Sequence, residues 1–396
     1  MRKSIKLICV LLAFSSMSLR AKDFGLVLDQ TASYDGDKFD YKGILIPRFS
    51  ALIGKNGGIY ISLGANIQID PFTVVPEILR TDFYWRQGGG EFRFGRMQYS
   101  DPLGFVANGL FDGLRFSYDT NSAGSFSAGA WYTGFLYKKR TNITMTPNEL
   151  SSNSEDLDYS DFFNTYFAPK RVLAALDWEH PSLAELLRLK LSLLGQLDLS
   201  ADEFKKGLHS QYFAGKLTLP LGIFFFDLGG CLELTEQSDE IKMSIAGEFG
   251  ASLPFPTPFD DRLSFVGRFS SGVPEGDTII EAFNPLTTIT QGEVIEARLS
   301  GLSILTLAYN ARFHRTFSLG LSASYFILSD LGGTCAVLGN EGWFGGCEFY
   351  GRAAWSPVSD IQLNLGGGVF LPKLGNAAPD GDIKWKIELN FILSLY

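Results

Sequence analysis

The chain has 396 residues, with 34 basic and 43 acidic side chains and a formal charge of −9. That acidic balance disfavours nucleic acid as a partner. No apolar run after the first twenty residues nears the ~18 needed for a spanning helix, so membrane helices are excluded. Four cysteines without paired CxxC spacing and three scattered histidines provide no metal site, and no cofactor motif is present.

Residues 1–21 read as a secretory signal peptide. Arg2, Lys3 and Lys6 precede an apolar stretch from Leu7 to Phe14, and small residues follow up to Ala21. Removing it leaves an exported, still more acidic chain of about 375 residues. No composition break or proline-rich hinge divides it, so 22–396 is expected to form one domain.

Within that domain apolar and polar residues alternate at period 2, the mark of strands with one oily and one wet face. Successive strands are expected near 24–34, 41–53 and 59–69, then 77–86, 91–99 and 111–119. In the fourth, Leu79, Thr81, Phe83 and Trp85 share one face, and Arg80, Asp82, Tyr84 and Arg86 the other. The seventh is expected over 125–138, followed by a polar loop over 139–170. The eighth to thirteenth are expected near 171–179, 187–199, 211–219, 223–235, 241–253 and 262–270. In the ninth, Leu187, Leu189, Leu191, Leu193 and Leu197 oppose Arg188, Lys190, Ser192, Gln196 and Asp198. After a second long loop come 297–313, 317–328, 348–355, 361–371 and 384–396.

The tally is eighteen, with sixteen the alternative. Even-numbered connections are short and odd-numbered ones are mostly long, as in bacterial barrels whose termini lie on the periplasmic side. Eighteen strands enclose more volume than side chains fill, so the interior is wet or plugged and the apolar face needs lipid. The fold class is therefore all-β: a transmembrane antiparallel up-and-down β-barrel. Expected partners are outer-membrane lipid, the barrel-assembly machinery and small hydrophilic solutes; oligomeric state is open. Leu389, Phe391, Leu393 and Leu395 carry the apolar parity of the last strand, which the terminal Tyr396 does not share.

On the wet faces Arg80, Arg86, Arg93, Arg115, Arg188, Lys190, Arg268 and Arg352 are candidate pore-lining residues. Two readings stand. Either ion pairs brace the wall, or Arg80, Arg86, Arg93 and Arg115, with fewer acids nearby, form a ladder that guides anions. Arg96 shares the parity of Phe92 and Phe94. Either a bulge at Gly95 turns it inward, making it pore-lining too, or it lies above the lipid band. The loop over 101–110 carries Leu103, Phe105, Val106 and Leu110. It either folds into the lumen or packs on its neighbours. Cys335 and Cys347 bracket one glycine-rich loop, and a disulfide there is compatible with an oxidising compartment. No Ser-His pairing supports catalysis, so an enzyme is not expected.

The segment GRMQYSDPLG (95–104), followed by GLFDGLRF (109–116), resembles alginate-export-type and related substrate-specific porins. The resemblance implies an outer-membrane channel with an electropositive lumen involving Arg93, Arg96 and Arg115, without specifying alginate. The leading expectation is passive diffusion of small hydrophilic solutes, anionic ones included. The alternative is a barrel that acts through external loops as an adhesin or structural surface antigen.

Overall fold

The computed structural model describes residues 19–69, 72–120, 122–201, 203–273 and 282–396. Most of the expected signal peptide lies outside the described residues. Eighteen strands form the wall: β1 (Leu19–Tyr34), β2 (Phe39–Ile53), β3 (Gly57–Ile69), β4 (Phe72–Gln87), β5 (Gly90–Ser100) and β6 (Asn108–Thr120). Then come β7 (Gly124–Tyr132), β8 (Arg171–Leu183), β9 (Leu187–Asp198), β10 (His209–Leu221), β11 (Phe224–Gln237) and β12 (Glu240–Pro254). The last six are β13 (Arg262–Ser270), β14 (Leu302–His314), β15 (Phe317–Leu328), β16 (Phe344–Val358), β17 (Ile361–Leu371) and β18 (Lys384–Leu395).

Each strand pairs antiparallel with its sequence neighbours. β1 also pairs with β18, from Leu26↔Leu395 to Tyr34↔Ile387, which closes the sheet. Closure removes the two edges whose unpaired amides could not be left in hydrocarbon. The expected topology is therefore observed.

The outward face keeps large apolar side chains exposed all the way round. Leu114, Phe116, Leu176, Leu193, Phe213, Leu228, Ile245, Phe249, Leu305, Leu321, Phe349, Leu365 and Ile387 are among them. So continuous an apolar belt is a lipid-facing surface. The alternate positions hold buried polar groups, including Ser62, Asp82, Ser192, Gln196, Glu233, Glu248 and Asn364.

Three expectations need correction. The seventh strand ends at Tyr132, because the chain turns through Leu136 N–H to Thr133 O and enters helix α1 (Lys138–Thr141). The fourteenth begins at Leu302, because Glu296 (φ 50°) and Gly301 (φ 63°) break extended geometry. Ala297–Arg298 instead pair with Thr290–Gln291 in a small ribbon. In β4, a register shift opposite Ser62/Leu63 puts Leu79 on the inner face, against Gly64 and buried. The bulge reverses its parity relative to Thr81.

Candidate functional site: the lumen and its infolded loops

The inner wall carries a row of charges on adjacent strands. Arg80 Nη2 and Arg93 Nη1 reach Asp82 Oδ2 at 2.6 and 2.9 Å. Arg93 Nε and Arg86 Nε share Glu91, the former at 2.5 Å. Arg115 donates to Ser127 Oγ at 2.9 Å, and Ser127 in turn donates to Asp177 at 3.1 Å. Arg188 and Lys190 share Glu179, with Lys190 Nζ at 3.1 Å. Further round, Lys216 and Arg268 each contact Glu248 at 2.8 Å. Arg352 makes no ion pair among the described residues and lines a cavity of about 350 Å³ with Asn310, Gln362 and Asn364.

The arginines of β4 to β6 are thus not short of acids. Asp82 and Glu91 sit between them, one strand apart, where single-strand spacing does not show the pairing. Even so, the six cations from Arg80 to Lys190 share four carboxylates. Arg80 Nε and Arg115 Nε are buried without a hydrogen-bond partner. The row is braced and still basic.

Arg96 does not line the lumen. Met97 and Tyr99 face inward, so Arg96 faces outward with Asp112, its neighbour on β6. Its Nε and Nη2 bind the two Asp112 oxygens at 2.9 and 2.7 Å, and Nη2 also meets Phe135 O at 3.2 Å. Gly95 has φ +114° but does not reverse the alternation. Arg171 is fully buried, between Glu149 at 2.6 Å and Gln196 at 2.6 Å. Glu149 also caps helix α2 (Pro147–Ser154), accepting from Met145 and Thr146 N–H. Arg171 therefore fastens the β7–β8 loop to the wall. The disulfide is not formed: Cys335 and Cys347 are both free. Cys335 is buried in an inner cluster with Ile295, Phe326 and Leu338, whereas Cys347 has the outward parity beside inward Glu348.

Several loop segments among the described residues fold inward. Residues 101–107 are organised by Asp101, whose carboxylate accepts N–H groups from Leu103, Gly104, Val106 and Ala107 at 2.8–3.0 Å. The loop crosses the lumen. A Cβ on Gly229 of β11 would lie 2.2 Å from Leu103 Cδ2, and the Arg268 guanidinium of β13 lies 5.7 Å from the Phe105 ring centroid. The 282–301 segment joins it through Thr287 Oγ1, which accepts Asn108 N–H at 2.8 Å. Asn142 O of the 133–170 loop accepts Thr288 N–H at 3.0 Å. Phe105, Val106, Ile143, Met145, Phe283 and Leu286 share one buried cluster. Glu348 anchors the far end of the 282–301 segment, accepting N–H groups from Glu293, Val294 and Ile295. Burial and the neighbouring Glu348 push the Glu293 carboxyl above its ordinary range.

Of the two readings of the 101–110 loop, infolding is therefore the one observed. Its apolar composition signalled only that it avoids water. The anchoring role of Glu149 and Glu348 had no signal in strand periodicity, because each meets partners far away in sequence.

Solved structures with the same architecture are known. OccD3 (OpdP) of Pseudomonas aeruginosa matches with a TM-score of 0.62 and 13% identity, over 96% of this chain and 92% of that one. The fold is that of the Occ outer-membrane proteins. OpdK of the same organism matches at TM-score 0.63 and 10% identity, over 95% of this chain and 99% of that one. OccK2 (OpdF), solved in complex with glucuronate, matches at 0.62 and 12%, over 94% and 96%. No family model and no curated protein matches the sequence. The resemblance to substrate-specific porins thus holds at the level of the Occ fold, which is conserved here across almost the whole length of both chains.

Proposed function

We propose that this chain is an outer-membrane channel through which small hydrophilic solutes diffuse passively, with a preference for anions. The observation that carries the reading is the 101–107 loop reaching across the lumen to Arg268, with the basic row from Arg80 to Lys190 on the inner wall. Guanidinium groups stay charged at any physiological pH and offer several donors each, so they draw carboxylates into a narrow polar path.

The channel needs no cofactor or energy source; the concentration gradient drives it. The apolar belt supports localisation in the bacterial outer membrane, and the basic residues and apolar stretch over 2–14 support export through the secretory pathway. Neighbouring folds were solved with glucuronate and with vanillate, both small carboxylates, which makes these the first solutes to try. Purified protein in planar bilayers under a salt gradient tests the reading. A reversal potential of anion-selective sign supports it, and clear cation preference overturns the anionic part. Absence of any conductance removes the channel itself.

A further inference from the structure

Away from the basic row of β4 to β9, one register row crosses the wall from β13 to β18. It runs Arg262, Asn310, Gly320, Arg352, Gly366 and Glu388, one residue from each strand. Arg262 and Arg268 share β13, so the row lies ~20 Å along that strand from Arg268, on the side of the short turn at His314. A solute that has passed the 101–107 loop reaches this row next.

Gly320 opens a gap in the row. The missing side chain leaves space between Asn310 and Arg352, where a Cβ would lie 2.8 Å from Asn310 Oδ1. The gap belongs to the polar cavity of about 350 Å³, lined in part by Asp260, Asn310, Arg312, Ser318, Arg352 and Gln362. Two of its three charges face each other, with Arg312 Nη1 3.7 Å from Asp260 Oδ2. Arg352 is the third, and it has no ion-pair or hydrogen-bond partner among the described residues. Glu388, the acid of the same row, lies two strands away and meets Lys386 at 3.8 Å. The Tyr350 hydroxyl occupies the space over Gly366 between them. The cavity therefore carries one uncancelled positive charge.

Beside Arg352 a line of amides has a fixed direction. The Asp29 carboxylate offers acceptors only, so Asn390 turns its amino group toward it, Nδ2 to Oδ1 at 2.6 Å. Asn390 then presents its carbonyl to Asn364 Nδ2 at 2.8 Å, and Asn364 presents its own to Gln362 Nε2 at 3.0 Å. Asn364 is buried, so its amide is held in this sense. The line ends at the cavity with Gln362 Oε1, an acceptor that receives no donor from the described residues.

We propose that this cavity is a binding station for a small carboxylate that also carries hydroxyl groups. The carboxylate meets the Arg352 guanidinium, one hydroxyl donates to Gln362 Oε1, and another exchanges hydrogen bonds with Asn310. An uncharged polyol leaves Arg352 without a counter-charge, and a carboxylate lacking hydroxyls leaves the amides unused. The proposal rests on the channel reading and adds to it a site apart from the basic row, with a choice among carboxylates. The cavity is open to the lumen, which suits a site that must release what it binds.

The test uses the full-length barrel, with gluconate as the probe. Binding to the protein in detergent micelles is followed by saturation-transfer difference NMR, and conductance is recorded in planar bilayers. Saturable gluconate binding is expected in the wild type. Arg352→Gln should weaken it about tenfold, as the loss of a charged hydrogen bond implies. Gln362→Met should weaken gluconate about threefold and leave propionate unchanged. Gly320→Ala keeps every polar group and should weaken gluconate by filling the gap. Heat-modifiable gel mobility confirms that each variant is folded. Gluconate bound equally by wild type and Arg352→Gln, or propionate bound as tightly as gluconate, overturns the proposal. Arg352-dependent binding in a barrel that does not conduct counts against the channel. Anion-selective conductance without Arg352-dependent binding counts against this station alone.

Discussion

The Arg268 guanidinium lies 5.7 Å from the centre of the Phe105 ring, although the two belong to opposite sides of the barrel. Arg268 is on β13 and Phe105 leads out of β5, eight strands away in an eighteen-strand wall. The contact is cation–π in geometry and is supported by Glu248 and Gln291, at 2.8 and 2.9 Å from the same guanidinium. It divides the lumen and makes the loop a beam rather than a flap.

Phe105→Ala should open this beam. The ring is 1% exposed and meets Phe283 edge-on at 6.3 Å. Its loss should raise single-channel conductance and lower stability by about 3 kcal/mol. Unchanged conductance would show that the path avoids this contact.

Asp101→Ala should loosen the same loop without touching the wall. Four N–H donors lose their acceptor, and the polar backbone they belong to is buried. Current traces should become noisier, with frequent transitions between levels. Steady traces indistinguishable from wild type would assign loop order to the Thr287 and Gly229 contacts.

Arg93→Gln removes the cation that bridges Asp82 and Glu91. Both carboxylates then face the lumen with less compensation. The reversal potential should move toward cation selectivity, more at low salt than at high salt, because screening shortens the reach of exposed charge. A shift independent of ionic strength would indicate a steric rather than electrostatic change.

Acid should strengthen anion preference through Glu293. Its folded pKa is raised, first by burial and then by Glu348, so its ionised form is disfavoured in the barrel. For a raised acid, native stability is favoured below the folded pKa and declines as pH rises above the unfolded value. Falling pH therefore neutralises Glu293 before an ordinary glutamate and leaves the neighbouring Lys386 and Arg352 less opposed. The reversal potential is expected to become more anion-selective over that interval, and Glu293→Gln should abolish the pH dependence. Persistence of the dependence in that variant would point to another group.

Breaking the Arg171–Glu149 pair tests the loop anchor. Arg171→Met leaves Glu149, Gln196 and Asp198 buried around an apolar group. Removing one partner of a buried pair costs about 3–5 kcal/mol. The midpoint of thermal unfolding, or of the loss of heat-modifiable gel mobility, should fall accordingly. An unchanged midpoint would mean that Thr146 and the helix cap hold the loop unaided.

Strand periodicity made the wall legible. Residues such as Leu193 and Ser192 show which face they occupy from their immediate neighbours, because a strand alternates whatever it is paired with. Short connections at alternate ends then followed from the gaps between runs. Leu79 shows the limit: its face depends on a bulge set by β3, which no window on β4 contains. Arg96 is similar, since its burial comes from Asp112, Ile78 O and Phe135 O, three separate segments.

The loops lie at the other extreme. Leu103, Phe105 and Val106 announced that their loop avoids water, yet composition could not say whether it packs inward or against a neighbour. That choice was made by Gly229, Thr287 and Arg268, up to some 180 residues away. By itself the sequence determined a barrel of eighteen or sixteen strands with a wet, charge-lined inside and an oily outside, because alternation is local and repeats every two residues. Only the tertiary structure decided which charges neutralise one another and which loops close the lumen. These depend on contacts across the barrel, and a chain read in order carries no periodic signal for them.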